Sequence, residues 1–488
     1  MTDVILAIDQ GTTGTTALLI DTHVNVVAQH NVEFPNHYPQ PGWVEHDVNE
    51  IWSSICAATT EAIKKAGPVN ILAVGITNQR ETCLFWDRKT GTPIHRALVW
   101  QDRRTADRCS ALKSDGQEDL FKHKTGLVLD PYFSGTKAAW LLNNVPNARA
   151  RADRGELMFG TIDTWLAWKL CGAHATDPSN ASRTLMYNIH SMAWDEELLD
   201  ILGVPARCLP RVVDNAEVLG HTTGLDFIPD GVPVAGMAGD QQSALFGQAC
   251  FTQGEAKCTY GTGAFVLMNT GFTPVVSQHQ LLTTVAWRLN GQTTYAVEGS
   301  AFIAGAAVQW MRDGLGIIDN AADIEVLANQ VDNAGGVIFV PAFAGLGAPH
   351  WRPSARGMFR GITGGTTRAH LARAVIDGIA LQVSDILIAM AKDSGTPLSE
   401  LKVDGGAAKN NLLMQFQSDL LNVECVRPTV LETTALGAAF LAGLGIGLWS
   451  STQAICDAWV EDRRFHPSAS QQVIAEHIAA WTEAVQIA

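Results

Sequence analysis

The stretch LAIDQGTTGTTALLID, residues 6–21, carries two apolar runs around a turn of Gly and Thr. That pattern reads as a β-hairpin whose turn leaves backbone N–H groups without ladder partners. Such donors are free to bind an anion. Gly11 and Gly14 allow close backbone approach, and Thr12, Thr13, Thr15 and Thr16 add hydroxyl donors. Asp9, at the mouth of the turn, would repel a phosphate unless a Mg²⁺ ion stood between them. The stretch therefore reads as a phosphate clamp with a carboxylate for the metal that accompanies a nucleotide. Taken alone, a Gly/Thr hairpin is more often only a turn.

The rest of the chain limits what such a clamp can belong to. At 488 residues the chain exceeds a single core and calls for two or three domains. Lys and Arg number 34 against 49 Asp and Glu, a net charge of −15. That balance argues against a general nucleic-acid binder, because phosphate backbones demand clustered cations. Nine cysteines, at 56, 83, 109, 171, 208, 250, 258, 425 and 456, form no C-x-x-C pair and are odd in number, as expected in a reducing cytoplasm. The opening MTDVILAIDQ has no basic region, so no signal peptide is expected. The longest apolar run, 434–449, is Gly-rich and short for a membrane span, and a buried helix is expected there.

Strands alternate with helices along the chain, the pattern of α/β layers. VNILAVGITNQ (69–79) reads as a buried strand and LFWDRKTGTPIHRALVW (84–100) as a hairpin turning at KTGT. Helices are expected over 48–66, 136–143, 298–314 and 366–393. KCTYGTGAFVLMN (257–269) echoes the first hairpin about halfway along, so two halves of similar plan would each hold part of one phosphate chain. LKVDGGAAKNNLLMQFQSDLL (401–421) delivers a Gly-Gly turn from a strand directly into a helix, whose free N–H groups suit a nucleotide. The boundary falls near 245–252, giving domains 1–248 and 249–488. Gly-Lys occurs nowhere, which excludes a Walker A loop, and neither H-E-x-x-H nor G-x-S-x-G is present.

DQGTT, YPQPGWVEHD, TNQRET, WQDRRT, TGLVLDPYFSGTK, TDPSNASRT, AGDQQSALFGQ, YGTGAFVLMN and VDGGAAKNNLLMQFQSD follow in order from residue 9 to 419. Together they resemble the glycerol kinases, a branch of the FGGY carbohydrate kinases of the actin and Hsp70 superfold. TNQRET and PYFSGTK point to the glycerol branch. The resemblance implies two ribonuclease-H-like domains around a deep cleft, with the polyol on the first and ATP mainly on the second. It also implies ATP- and Mg²⁺-dependent phosphorylation of a terminal hydroxyl of glycerol to sn-glycerol 3-phosphate, in a homodimer or homotetramer without nucleic-acid partner or membrane span. The alternatives are an erythritol, xylulose or ribulose kinase, or an actin- or Hsp70-like nucleotide switch.

Asp240 follows the apolar strand VPVAGMAG, and the residues alone leave it as either a general base or a helix N-cap. By resemblance it is the base, and with Asp9 it reaches the metal. Arg80 and Glu81 are most simply neighbours in a salt bridge; by resemblance Arg80 donates to substrate hydroxyls and Glu81 accepts from them. The resemblance adds Tyr132 and Gln241 to the polar set and Trp100 and Phe265 as apolar backing. It assigns the nucleotide to Thr12, Thr13 and Gly14 on the first hairpin, Thr262 on the second, and Gly305, Gln309, Gly406 and Asn410 on the adenosine side. Thr16 stands where many family members read Arg near the phosphates.

The loop LGHTTGLDFIPDGVPVAG (219–236) also departs from the family. Some bacterial members carry a Gly- and Lys-rich segment there that holds fructose 1,6-bisphosphate between subunits, and others a histidine phosphorylated by a carrier protein. Here no Lys or Arg occurs from 212 to 256, Asp226 takes the histidine's place by residue count, and His221 is the only imidazole. Asp226 and Asp230 would repel a doubly phosphorylated sugar, and a carboxylate cannot replace the phosphoryl-accepting imidazole. Turnover is therefore expected to be unchanged by millimolar fructose 1,6-bisphosphate or by phosphorylated carrier protein; a several-fold response to either contradicts this reading of the loop.

Overall fold

A computed structural model describes all of residues 1–488. In the first half, β1 (Thr2–Gln10), β2 (Gly14–Asp21) and β3 (Val26–Glu33) form an antiparallel meander. Helix α1 (Val48–Ala66) buries Ile51, Ile55, Ala58 and Ala62 on one face, at helical spacing. Asp47 caps it by accepting from the Asn49 N–H at 2.9 Å, and Gly67 ends it at φ 75°. The chain then enters β4 (Val69–Asn78), which lies parallel to β1. After a long excursion it returns as β5 (Gly220–His221) and β6 (Pro233–Gly239), giving the sheet order β5-β6-β4-β1-β2-β3.

A second, four-stranded sheet is built from three strands of the excursion and Glu45–His46 from before α1; in it Cys83–Asp87 pairs antiparallel with Ala97–Leu98 at Cys83 and Leu98, as the hairpin reading expects. In the loop between β5 and β6, Asp226 and Asp230 are exposed, and Asp230 accepts from the Gly224 N–H at 2.7 Å.

Helix α2 (Asp240–Gly247) leads into the second half, where the plan recurs. Strands β7 (Glu255–Tyr260), β8 (Ala264–Gly271), β9 (Leu282–Leu289) and β10 (Gln292–Ala301) are followed by helices α3 (Gly305–Asp313) and α4 (Arg368–Ser394). Then come β11 (Glu400–Asp404), α5 (Asn411–Leu421), β12 (Glu424–Pro428), α6 (Thr433–Gly445) and β13 (Glu461–Phe465). The sheet order is β9-β10-β8-β7-β11-β12-β13. The cores of the two sheets, β3-β2-β1-β4-β6 and β10-β8-β7-β11-β12, share one topology: three antiparallel strands, then two more parallel to the first.

Three expected elements differ in detail. The helix expected over 298–314 begins only at Gly305, because residues 298–301 continue β10, paired with β8. The Gly-Gly turn enters α5 through a short 3₁₀ turn, Gly406–Lys409, rather than directly. The apolar run at 434–449 is a buried helix, α6, that stops at Gly445. A longer helix, α4, is apolar and long enough to cross a membrane, but most of its apolar stretch is buried in the core of the second half.

Helix α6 belongs to the second half by sequence but packs on β1, β4 and β6 of the first sheet and on α2. Small residues permit this. A Cβ on Gly437 would lie 1.8 Å from the Ser243 carbonyl oxygen of α2, and one on Gly75 of β4 would lie 2.1 Å from that of Ala438. Gly437→Ala should therefore lower unfolding stability by roughly 1–3 kcal/mol, the cost of overpacking a tight contact. Urea unfolding measures it; a change within about 0.5 kcal/mol would show that the two helices can separate freely.

Candidate active site

The carboxyl ends of the parallel strands in both sheets open on one cleft, where ligands of α/β sheets bind. From the first half come the β1–β2 turn, Arg80 and Glu81 just beyond β4, and Asp240 where β6 enters α2. From the second come the β7–β8 turn, Glu298 on β10, and the Gly405–Gly406 turn beyond β11.

At the base of the cleft lies a chain of charges. Arg80 donates through both terminal nitrogens to Glu298, at 2.6 and 2.9 Å. Its Nε stands 3.1 Å from Asp240 Oδ1, and Nη1 also donates to Gln242 at 3.1 Å. Arg183 donates to Glu81 at 2.6 Å and to Glu298 at 3.2 Å. None of Arg80, Glu81, Arg183 and Glu298 is more than 3% exposed. The bridge between the neighbours Arg80 and Glu81 is loose, at 3.8 Å, so the simple sequence reading of that pair gives way to a network across the two halves. Glu81 has a left-handed backbone, φ 62°, and its carbonyl accepts from Ser134 Oγ at 2.9 Å. A non-glycine residue held there stores strain, which is typical of functional sites.

Asp240 is the first residue of α2 rather than its cap, and its side chain is 30% exposed toward the cleft. Burial raises its pKa and Arg80 pulls it back. Beside it, Lys257 donates to the Oε1 of Gln241. Trp100 stacks edge-on against Tyr132 at 5.5 Å, and its Nε1 donates to Thr12 Oγ1 at 2.9 Å, tying the aromatic wall to the first hairpin. The Arg183 guanidinium stands 5.7 Å from the Tyr132 ring. Phe265, half-buried on β8, faces Thr259 and Ser300 in register.

The first hairpin forms as read, with Asp9 opposite Thr16 and the turn closed by Gly11 N–H to the Gly14 carbonyl at 2.9 Å. Thr13 is exposed and Thr12 half-buried. Thr15 is not a donor to the cleft: its hydroxyl is buried against Ser54 of α1 at 2.7 Å, because strand alternation turns it to the core. The Thr16 hydroxyl accepts from Asn31 at 2.9 Å while sharing the strand face of Asp9. Burial and the nearby carboxylates of Asp240 and Glu432 push Asp9 up to about 8.

The second hairpin borders a cavity of about 430 Å³. Thr262, Gly305, Gln309, Gly406 and Asn410 all line it, and Val308, Ile379 and Leu413 supply apolar wall. The residues that the sequence placed on the nucleotide's second-half side thus meet in one space. Asn410 also caps α5, accepting from Leu413 N–H at 2.9 Å.

Arg183, Gln242, Lys257 and Glu298 escape the sequence reading. Arg183 lies inside TDPSNASRT, but an arginine in a motif does not announce a partner 102 residues away. Glu298 lies in the last four residues of β10, 298–301, whose sequence reads as the start of a helix.

The description "FGGY family of carbohydrate kinases, N-terminal domain" matches residues 4–247 and its C-terminal counterpart residues 256–446. The chain is 58% identical to a protein named glycerol kinase from Myxococcus xanthus over 99% of this chain and 98% of that one. It is 54% identical to a glycerol kinase from Geobacillus kaustophilus over 100% and 99%. A crystal structure of Plasmodium falciparum glycerol kinase with ADP superposes with a TM-score of 0.95 at 38% identity, covering 100% of this chain and 98% of that one. A xylulose kinase from Lactobacillus acidophilus, 22% identical at TM-score 0.89 over 99% of this chain and 97% of that one, shares the fold.

Arg80 and Arg183 hold Glu298 down to about 2, from an ordinary 4.5. A depressed folded-state pKa contributes stability that is full above the unfolded value and is lost as pH falls toward the folded one. Glu298→Gln, which leaves two buried guanidiniums short of charge, should cost on the order of 3 kcal/mol at neutral pH and flatten the loss of stability between pH 4.5 and 2. Urea titrations across that range measure both; an unchanged profile would mean that the ion pairs contribute nothing to folding.

Proposed function

The chain belongs to the FGGY family of carbohydrate kinases, and from that membership we infer that it transfers the γ-phosphoryl group of ATP to glycerol. The observation that carries the mechanism is the position of Asp240, in a cleft where Arg80 fixes its carboxylate beside the first hairpin's Asp9.

A terminal hydroxyl of glycerol, seated against Arg80, Glu81, Tyr132 and Gln241, loses its proton to Asp240. Its oxygen forms a bond to the γ-phosphorus as the bond to the β,γ-bridging oxygen breaks, and ADP departs with that electron pair, leaving sn-glycerol 3-phosphate. The burial that raises Asp240 above ordinary carboxylates strengthens it as a base, and Arg80 favours its ionised form. Most of the Arg80 fork is occupied by Glu298 and Gln242, so Arg80 meets the substrate in a fixed plane. Trp100 and Phe265 limit water at the polyol. Thr12, Thr13, Gly14 and Thr262 offer turn donors to the phosphates, with Thr16 alongside, and Gly305, Gln309, Gly406 and Asn410 enclose the adenosine.

Asp9 suits a cation. Burial and two neighbouring carboxylates raise its pKa, and a nearby cation would relieve that repulsion. Mg²⁺ is characteristically bound through one or two carboxylates together with substrate phosphates, a role that Asp9 and Asp240 fit. When bound, it would neutralise phosphate charge. Domains 1–248 and 249–488, a homodimer or homotetramer, and a cytoplasmic location for nine free thiols complete the reading.

Coupled ADP-release assays with MgATP should show faster turnover on glycerol than on erythritol, xylulose or ribulose; a ketose preferred to glycerol would overturn the substrate. Asp240→Asn should lose about 10²- to 10⁴-fold in turnover, as removal of a general base does, while still binding ADP. Near-parental turnover would remove Asp240 from the mechanism.

A further inference from the structure

Lys257, on β7, is fully buried, 0% exposed, beside the cleft. Burying an ammonium is costly and normally calls for a directly bonded carboxylate. Here both acceptors are neutral: the Oε1 of Gln241 and the Oγ1 of Thr259, the latter at 3.0 Å. The carboxylates of Asp404 and Asp240 favour its charge from a distance, but neither takes its hydrogen bonds. A hydrophobic residue at this strand position would be cheaper for folding alone.

The identity of the acceptor suggests what the charge does. An ammonium only donates, so it forces the Gln241 amide to present its oxygen to β7 and leaves Nε2 on the other side. Gln241 sits in the first turn of α2, next to Asp240, whereas Lys257 comes from the second half. The hydrogen bond therefore sets the orientation of a first-half pocket residue from across the cleft. We propose that Lys257 is a positioning residue of the polyol pocket, holding Gln241 with its Nε2 directed at a substrate hydroxyl. The assignment rests on that pocket being the polyol site.

Lys257→Met keeps the length and apolar stem but removes the donors. It should raise KM for glycerol about tenfold, the loss expected when one hydrogen bond is misdirected, with KM for ATP little changed. Preference for glycerol over 1,2-propanediol or 1,3-propanediol should narrow for whichever diol lacks the hydroxyl that Gln241 meets. Gln241→Ala supplies the discriminating background: if Lys257 acts through Gln241, adding Lys257→Met there costs less than twofold more. Lys257→Gln, which retains a donor without the charge, covers the case in which the methionine variant does not fold, and should recover part of the glycerol affinity. Independent, multiplying effects of the two substitutions, or an unchanged KM for glycerol, would overturn the proposal. Failure of the parent protein to turn over glycerol would instead overturn the substrate itself.

Discussion

The pairing of Arg80 with Glu298 is the contact on which the site depends. It joins a loop after the first sheet's β4 to a strand of the second sheet, with both nitrogens of one guanidinium on one carboxylate. Bidentate geometry restricts the plane of the guanidinium as well as its position. The Nε therefore faces Asp240 and Nη1 faces Gln242, so one residue from the second half sets the arrangement of three from the first. Arg183 extends the chain from Glu298 to Glu81. A buried network of this kind is poor value as a source of stability; its use here is to define geometry where the two halves meet.

The repeated topology explains why two halves are needed. Each sheet delivers a hairpin turn to the cleft from its first two strands, but the halves differ in what surrounds that turn. Around the first are carboxylates, an arginine and the Trp100–Tyr132 wall; around the second is the largely apolar cavity between α3 and α5. Helix α6 crosses back to the first sheet at distances only glycine allows. The second half is thus anchored to the first behind the cleft as well as within it, which limits how the halves can shift about the site.

Both hairpins, the buried strand at 69–79, and the helices at 48–66 and 366–393 were legible because local pattern decides them: alternating apolar runs around Gly and Thr, and apolar residues at helical spacing. Helix 298–314 misled because TTYAVEGSAFIAGAAVQW is small and apolar on both sides of the strand end, leaving no period to locate the break. Structure places that break at Gly305, where a Cβ would meet the Gly261 carbonyl oxygen at 2.6 Å. The same logic governs the site. Residues in recurring motifs, such as Asp240, Arg80 and Thr262, could be picked out, whereas Glu298 acts through Arg80 and Arg183, both far away in sequence, and Lys257 acts through a glutamine on the other side of the boundary between the halves. Thr15 shows the opposite error: a hydroxyl in a suggestive turn that strand alternation commits to the core.

The central claim is that the charge network presents a polyol hydroxyl to Asp240 while the second-half cavity holds the nucleotide. A crystal structure of the protein with glycerol and ADP tests it directly. The account predicts a terminal glycerol oxygen within about 3 Å of the Asp240 carboxylate, Arg80 still paired with Glu298, and the adenosine between α3 and α5. Glycerol bound away from Asp240, or an Arg80 released from Glu298 when both ligands are present, would contradict it.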